Sequence, residues 1–290
     1  MVMRCLTIIC FLFILTTTSL AQNTSDTLIW RIETIDGNEF VGKIIHKDKQ
    51  HITISTALYG EIDIITVSIK KIDPVKEGQL KNNELWTENP QSSRYFWTPN
   101  GYGLKKNEGY YQNVWVLFNQ ASYGFTNNFS VGLGMMPLFL FAGAPTPIWI
   151  TPKFSIPIAK DVINAGAGVL AGTLIGEKTD PVGLAYGVVT AGNRDANITF
   201  GMGYGFVGGD LGETPVFTLS GMVRVSKKGY LLTENYLISA EGESFTLLGL
   251  GGRTVWSKVS VDYGLLIPIV SDMEGLIALP WLSFVVPFGK

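Results

Sequence analysis

The side chains with the potential for chemistry in this chain are charges set inside otherwise apolar stretches. Beyond residue 100 nearly every charge falls in a turn or loop; Lys153, Arg224, Glu234, Arg253 and Asp262 stand clear within long alternating segments. Such charges bind ions, pair with one another or line a polar path. Nucleophilic catalysis asks for more, because a hydroxyl or thiol needs a base beside it. The two histidines of the chain are His46 and His51, and residues 95–290 contain none. Hydrolase or acyltransferase chemistry in that region therefore lacks its usual proton acceptor. A metal site at His46 and His51 would want a third ligand of suitable geometry, and two solvated histidines flanking a strand turn are the expectation. The run GMGYG at 201–205 reads as the small-residue face of a strand rather than a nucleotide loop. The expectation is thus no catalytic, cofactor-binding or metal-binding residue, and five charges whose role depends on where the fold puts them.

The element that must position two of them is 243–270, ESFTLLGLGGRTVWSKVSVDYGLLIPIV. It reads as two strands joined by a two-residue turn at Ser257-Lys258, which pairs Trp256 with Val259 and sets Arg253 across from Asp262. Strand side chains alternate with period two. Leu248, Leu250, Val261, Tyr263 and Leu265 therefore share the large apolar face, while Gly249, Gly251, Arg253, Ser260 and Asp262 share the small or charged one. The same split recurs elsewhere: Phe129, Val131 and Leu133 oppose Ser130, Gly132 and Gly134, and Ile198, Phe200 and Met202 oppose Thr199, Gly201 and Gly203. A soluble sandwich would turn the large face inward, whereas a transmembrane barrel turns it to lipid and the charges to the lumen. A charge at the lipid midplane costs about 2–4 kcal/mol, which favours lumen placement. There Arg253 is expected to pair with Asp262, and Arg224 with Glu234 on the adjacent strand. The lumen then has two readings, a narrow solute path or a closed core filled by paired charges, and the closed core is expected.

Composition sets the frame. The 290 residues are 46% hydrophobic and 16% charged, with 33 glycines and a formal net charge of −2, which gives no electrostatic case for nucleic acid. After the first residues no stretch approaches the roughly 18 apolar residues of a membrane helix. Residues 1–21, with Arg4, an apolar run from Leu6 to Leu15 and Ser-Leu-Ala ending at Ala21, read as a signal peptide. Both cysteines, Cys5 and Cys10, lie inside it, so the mature chain is expected to have no disulfide. Residues 22–75 hold about five short strands punctuated by turn residues, a pattern expected of a small closed barrel. Residues 76–94 read as a polar linker.

From residue 95 onward the segments 95–98, 111–125, 128–141, 147–158, 162–175, 182–192, 196–207, 215–226, 230–240, 244–256, 259–270 and 276–288 read as twelve antiparallel strands. Their connections alternate between tight turns (at 126, 159, 192, 227 and 257) and longer loops, the asymmetry of an up-and-down outer-membrane barrel. The weak strand at 95–98 is required because the strand at 111 would otherwise start on the wrong side. Ten strands, with 95–110 as a plug, is the alternative. Two aromatic girdles are expected, Tyr123, Phe125, Phe129, Phe154, Trp256 and Tyr263 near the tight turns, and Tyr110, Tyr111, Tyr204, Phe206 and Tyr236 near the long loops.

The stretches GYYQNVWVLFNQASYGFTNNFSVG, WITPKFSIPI and GYLLTENYLI, with the terminal WLSFVVPF, resemble uncharacterised Bacteroidota-type outer-membrane β-barrel proteins. The N-terminal unit, with its glycine turn and terminal Ile-Lys-Lys-Ile, resembles Sm-like or SH3-like domains. The resemblance implies a barrel in the Gram-negative outer membrane, the small domain in the periplasm, and no enzymatic activity or cofactor. Implied partners are the lipid bilayer with its lipopolysaccharide, the outer-membrane assembly machinery and an unidentified periplasmic partner. The alternative is a secreted soluble β-protein carrying an apolar ligand inside its barrel.

Overall fold

The computed structural model describes residues 28–75, 79–81, 84–240, 243–270 and 277–289, so the expected signal segment 1–21 lies outside the described residues. The chain divides into two compact units, Met1–Glu84 and Leu85–Lys290.

In the first unit five strands, β1 (Trp30–Thr34), β2 (Glu39–Lys47), β3 (His51–Thr56), β4 (Gly60–Ile65) and β5 (Ile69–Pro74), form one sheet in the order β4-β3-β2-β1-β5. Alternation puts Ile32, Ile52, Ile54 and Ile64 on one face, and they make its core. Turn chemistry fixes the hairpins: the Asp48 carboxylate accepts the N–H groups of Gln50 and His51 at 2.7 Å each. A short 3₁₀ turn, Thr66–Ser68, redirects the chain so that β5 pairs with β1. β4 and β5 stay at the two edges, so the closed circuit expected of a small barrel is not completed by hydrogen bonds. His46 lies on β2, 3.4 Å from Asp48, and His51 starts β3; among the described residues no cluster of metal ligands forms. Lys71 and Arg31 hold Asp73 at 2.8 Å and 2.9 Å, which keeps its carboxyl below the usual aspartate range.

Two short strands, β6 (Leu80–Lys81) and β7 (Glu84–Leu85), precede the barrel strands. The barrel wall comprises β8 (Gly109–Val114), β9 (Phe118–Gly124), β10 (Phe129–Met135), β11 (Thr146–Ala159), β12 (Ile163–Ile175), β13 (Val182–Gly192), β14 (Ala196–Val207), β15 (Asp210–Arg224), β16 (Gly229–Ala240), β17 (Glu243–Val255), β18 (Ser260–Ile269) and β19 (Leu279–Phe288). These twelve strands make a closed antiparallel barrel, sealed where β19 pairs with β8 and Phe288 lies opposite Gly109. A Cβ at Gly109 would run into the Phe288 ring, so glycine lets that ring lie across the seam without shifting.

Twelve strands are present, but not the twelve expected. Residues 111–125 do not make one long strand; they belong to a hairpin, β8–β9, turning at Trp115 and Val116 with φ of 51° and 65°. Three residues, 115–117, separate the paired Val114 and Phe118, and positive φ in a hairpin connection normally goes with Asn or Gly, so Trp-Val gives no signal in the sequence. It is held by the Asn113 side chain, which accepts the Val116 N–H at 3.1 Å, and by the Trp115 indole donating to the Pro280 carbonyl at 2.7 Å. The segment 95–98 is correspondingly not a wall strand and lies inside the barrel. Residues 85–94, expected as linker, belong to the barrel unit, and Gln91 and Arg94 are buried in it.

Two smaller departures have local causes. β10 stops at Met135 because Pro137, which cannot donate to a ladder, opens the short helix α1 (Pro137–Phe141). The expected loop at 208–215 is mostly hairpin, because Gly208 and Gly209, at φ of 66° and 116°, allow β14 and β15 to continue to a tight turn.

The wall is inside-out. Phe200 is 54% and Leu219 51% exposed on the outer surface, whereas Thr199, Ser220, Ser260, Arg253 and Asp262 are buried on the inner one. The tight-turn girdle forms an outward ladder, with Tyr123–Phe125 at 5.2 Å, Phe125–Phe129 at 6.3 Å and Phe129–Phe154 at 4.8 Å. The second girdle is not as expected. With the chain turning at Trp115, Tyr110 and Tyr111 fall near the tight-turn end, and Tyr110 and Tyr236 point into the lumen.

Candidate functional site: the plugged lumen

Residues 89–104 run up the barrel interior, turn, and return. The turn is closed by the Tyr95 N–H donating to the Thr98 carbonyl at 3.0 Å, with Arg94 bridged to Pro99 below it. Main-chain groups cannot be left unsatisfied inside a wall of this kind, so the lumen must supply partners for whatever the hairpin does not satisfy itself.

Much of that supply comes from the five charges. Arg253 and Asp262 face each other on β17 and β18 and are both fully buried. Their contact is bidentate, Nε to Oδ1 at 2.6 Å and Nη2 to Oδ2 at 2.9 Å. The rest of the Arg253 fork donates to the plug, reaching the carbonyls of Gln91 at 2.9 Å and Tyr95 at 2.7 Å. Lys153 on β11 donates to the carbonyls of Ser93 at 3.2 Å and Tyr102 at 2.6 Å. Glu234 on β16 does the reverse, accepting the N–H groups of Trp97 and Thr98, each at 2.9 Å, and the Tyr236 hydroxyl at 2.6 Å. The wall therefore holds both sides of the plug main chain with charges of the matching sign.

Arg224 and Glu234 do not pair. In the β15–β16 register Arg224 lies opposite Tyr230 and Glu234 opposite Ser220, four positions apart along the ladder. Arg224 instead reaches Asp195 in the neighbouring tight turn at 3.2 Å and the Thr87 carbonyl at 2.8 Å, and it stacks over Trp86 and Tyr230. It ties down the stem of the plug where the chain enters the barrel.

Several partners carried no sequence signal. Arg94 belongs to the plug and donates to Gln112. Arg194, in a tight turn, folds inward to Ser92 at 2.7 Å and the Gly103 carbonyl at 2.9 Å. Thr190 accepts the Gly101 N–H at 2.6 Å, and the Tyr95 hydroxyl reaches Asn197 at 2.7 Å and Thr199 at 2.6 Å. The available hint was the row of Thr, Asn and Gln on the small-residue face, more donors and acceptors than the five charges need.

The plug fills one side of the lumen. Tyr95 and Phe96 pack with Met222, Tyr230, Leu232, Val255, Leu266 and Trp281 from β15 to β19. Against β9 to β15 space remains. An inner cavity of about 190 Å³ lies beside the plug, and an outer one of about 980 Å³ opens toward the loop end.

No protein family and no curated protein matches the chain. Among solved structures it is similar to a KdgM porin at 9% identity and TM-score 0.41, over 62% of this chain and 95% of that one. It is similar to the CymD monoaromatic hydrocarbon channel at 8% identity and TM-score 0.39, over 91% of this chain and 87% of that one. The outer-membrane OmpT of Vibrio cholerae gives 14% identity and TM-score 0.30, over 90% and 93%. At such identities and TM-scores the likeness carries no argument about what this chain does.

Proposed function

We propose that this chain is an integral outer-membrane β-barrel with its N-terminal β domain in the periplasm and a lumen closed by its own plug. Its role in this reading is structural or envelope-organising, with transport limited to solutes that pass beside the plug. One observation carries the reading: large apolar side chains such as Phe200 and Leu219 are half exposed around the outside while Arg253 and Asp262 are fully buried within. Water would penalise that surface, whereas acyl chains would not. Support also comes from strand lengths of 10–15 residues over β11 to β19, close to the roughly 9–11 that a tilted strand needs to cross a bilayer. The barrel begins at Gly109 and ends at Phe288 on the same rim, the one with the tight turns, as expected of an even-stranded barrel inserted from the periplasm. Tight packing of plug residues against β15 to β19 and against Val114 of β8 favours the closed lumen over the open path.

Fractionation tests the placement. The protein is expected to remain with membranes after high-salt washing, to need detergent for release, and to change gel mobility on heating. Recovery in the soluble periplasmic fraction would reject it in favour of the secreted-carrier alternative. In planar bilayers the wild type is expected to conduct little or nothing, and steady channels of nanosiemens size would reject the closed lumen.

A further inference from the structure

The plugged-barrel reading leaves two features unexplained: a largely apolar space at the loop end of the lumen and two buried cations beneath it that form no ion pair among the described residues. The lumen of a membrane barrel is ordinarily polar. Here the outer cavity of about 980 Å³ is walled by Trp97, Phe118, Trp149, Leu170 and Leu184. Leu170 and Leu184 are direct cross-strand partners on β12 and β13. A Cβ added to Gly205 on the same wall would meet only the Gly183 carbonyl, at 3.8 Å, so this part of the wall faces open space. Its volume falls in the range of small-molecule sites, about 300–1,000 Å³.

The inner cavity of about 190 Å³ shares Trp97, Leu170 and Leu184 with the outer one and adds Arg94 and Lys153. Both cations are buried, at 8% and 7% exposure. Among the described residues their partners are neutral: carbonyls of Ser93 and Tyr102 for Lys153, the Gln112 amide and the Tyr110 ring for Arg94. Lys153 thus uses two of its three donors and Arg94 fewer than its five. Of the carboxylates buried in the wall, Asp262 is paired with Arg253, and Glu234, which lies within electrostatic reach of Arg94, is hydrogen-bonded to Trp97, Thr98 and Tyr236, while Asp180 and Asp210 line the outer cavity away from Lys153. Buried cations outside an ion pair are costly, and two facing one cavity repel; Glu234 offsets one charge at most, which leaves the pair with a net positive charge. Gln120, Ser122, Ser130 and Thr151 line the same small space and supply neutral donors.

We propose that the two cavities form one binding site for an amphipathic carboxylate, with the hydrocarbon or aromatic body against Trp97, Trp149, Leu170 and Leu184 and the anionic head against Arg94 and Lys153. The head supplies the missing counter-charge, and the body covers the apolar wall that the plug leaves bare. This goes beyond the envelope role, because it assigns the lumen a ligand.

The test uses the full chain in lipid nanodiscs, with binding of radiolabelled dodecanoate and of uncharged dodecan-1-ol corrected for empty nanodiscs. One saturable dodecanoate site per barrel is expected, at least tenfold tighter than for the alcohol. Lys153→Met and Arg94→Gln should each weaken dodecanoate at least tenfold and leave the alcohol unchanged. Leu184→Trp, which fills the shared wall without touching either cation, should weaken both probes. Because Lys153 also ties the plug, heat-dependent gel mobility checks folding of each variant, and Leu184→Trp decides the matter if the charge variants do not fold. No saturable dodecanoate site, equal affinity for the two probes, or full affinity in Leu184→Trp would overturn the proposal. A protein that stays in the membrane yet fails to bind dodecanoate removes the site and leaves the barrel placement untouched.

Discussion

Arg253 illustrates how one side chain takes on two tasks in a closed lumen. The two-residue turn at Ser257-Lys258 fixes its place opposite Asp262, so that pairing was legible from the register alone. Its contacts with the carbonyls of Gln91 and Tyr95 were not, because the plug is 162 and 158 residues away in sequence. Truncation should therefore do more than break an ion pair. Arg253→Ala is expected to cost about 3–5 kcal/mol, the range for removing one partner of a buried pair. Urea unfolding from lipid vesicles measures it, and an unchanged midpoint would dismiss the pairing as a source of stability. Replacing both partners, Arg253→Leu with Asp262→Leu, should recover the part due to the stranded carboxylate but not the part due to the plug carbonyls.

Hairpins set the strand count, and one of them departs from the usual turn chemistry. Trp115 and Val116 both adopt positive φ, and a β-branched residue there is a steric outlier. The left-handed region costs roughly 1–2 kcal/mol per non-glycine residue, against roughly 0.5–1 kcal/mol lost in chain entropy by glycine. Val116 is 81% exposed, so its side chain gives up little packing. Val116→Gly should raise the unfolding free energy by about 1 kcal/mol, read from the same urea titration. A loss of stability would mean that the exposed valine is held by something outside the turn. The same turn explains the misplaced girdle: one reversal at 115 sends Tyr110 and Tyr111 to the opposite rim.

The whole barrel depends on which side of the wall is wet. In the proposed reading a lumen lined by Lys153, Glu234, Arg253 and Thr190 is narrowed by residues 89–104, which fill one side of it. Replacing residues 89–104 with a short Gly-Ser linker should turn a silent barrel into one with resolved conductance steps in planar bilayers. A folded deletion variant that stays silent would place the barrier elsewhere, in the wall side chains themselves.

From the sequence alone came the two-faced strands, the inside-out distribution and the register of 243–270, because period-two alternation and tight turns are local and act within a few residues. The sequence also picked out five charges within the strands, four of them on the small-residue face and Glu234 on a stretch that alternates too poorly to assign, since charge among apolar neighbours needs no fold to be noticed. It did not disclose what those charges hold. Whether Arg224 meets Glu234 or Asp195, whether 95–98 is wall or plug, and whether Arg94 and Lys153 share a cavity are settled by contacts across the closed barrel. Such contacts join residues from about 30 to 160 positions apart, and no local pattern encodes them; only closing the twelve strands around the plug brings them together.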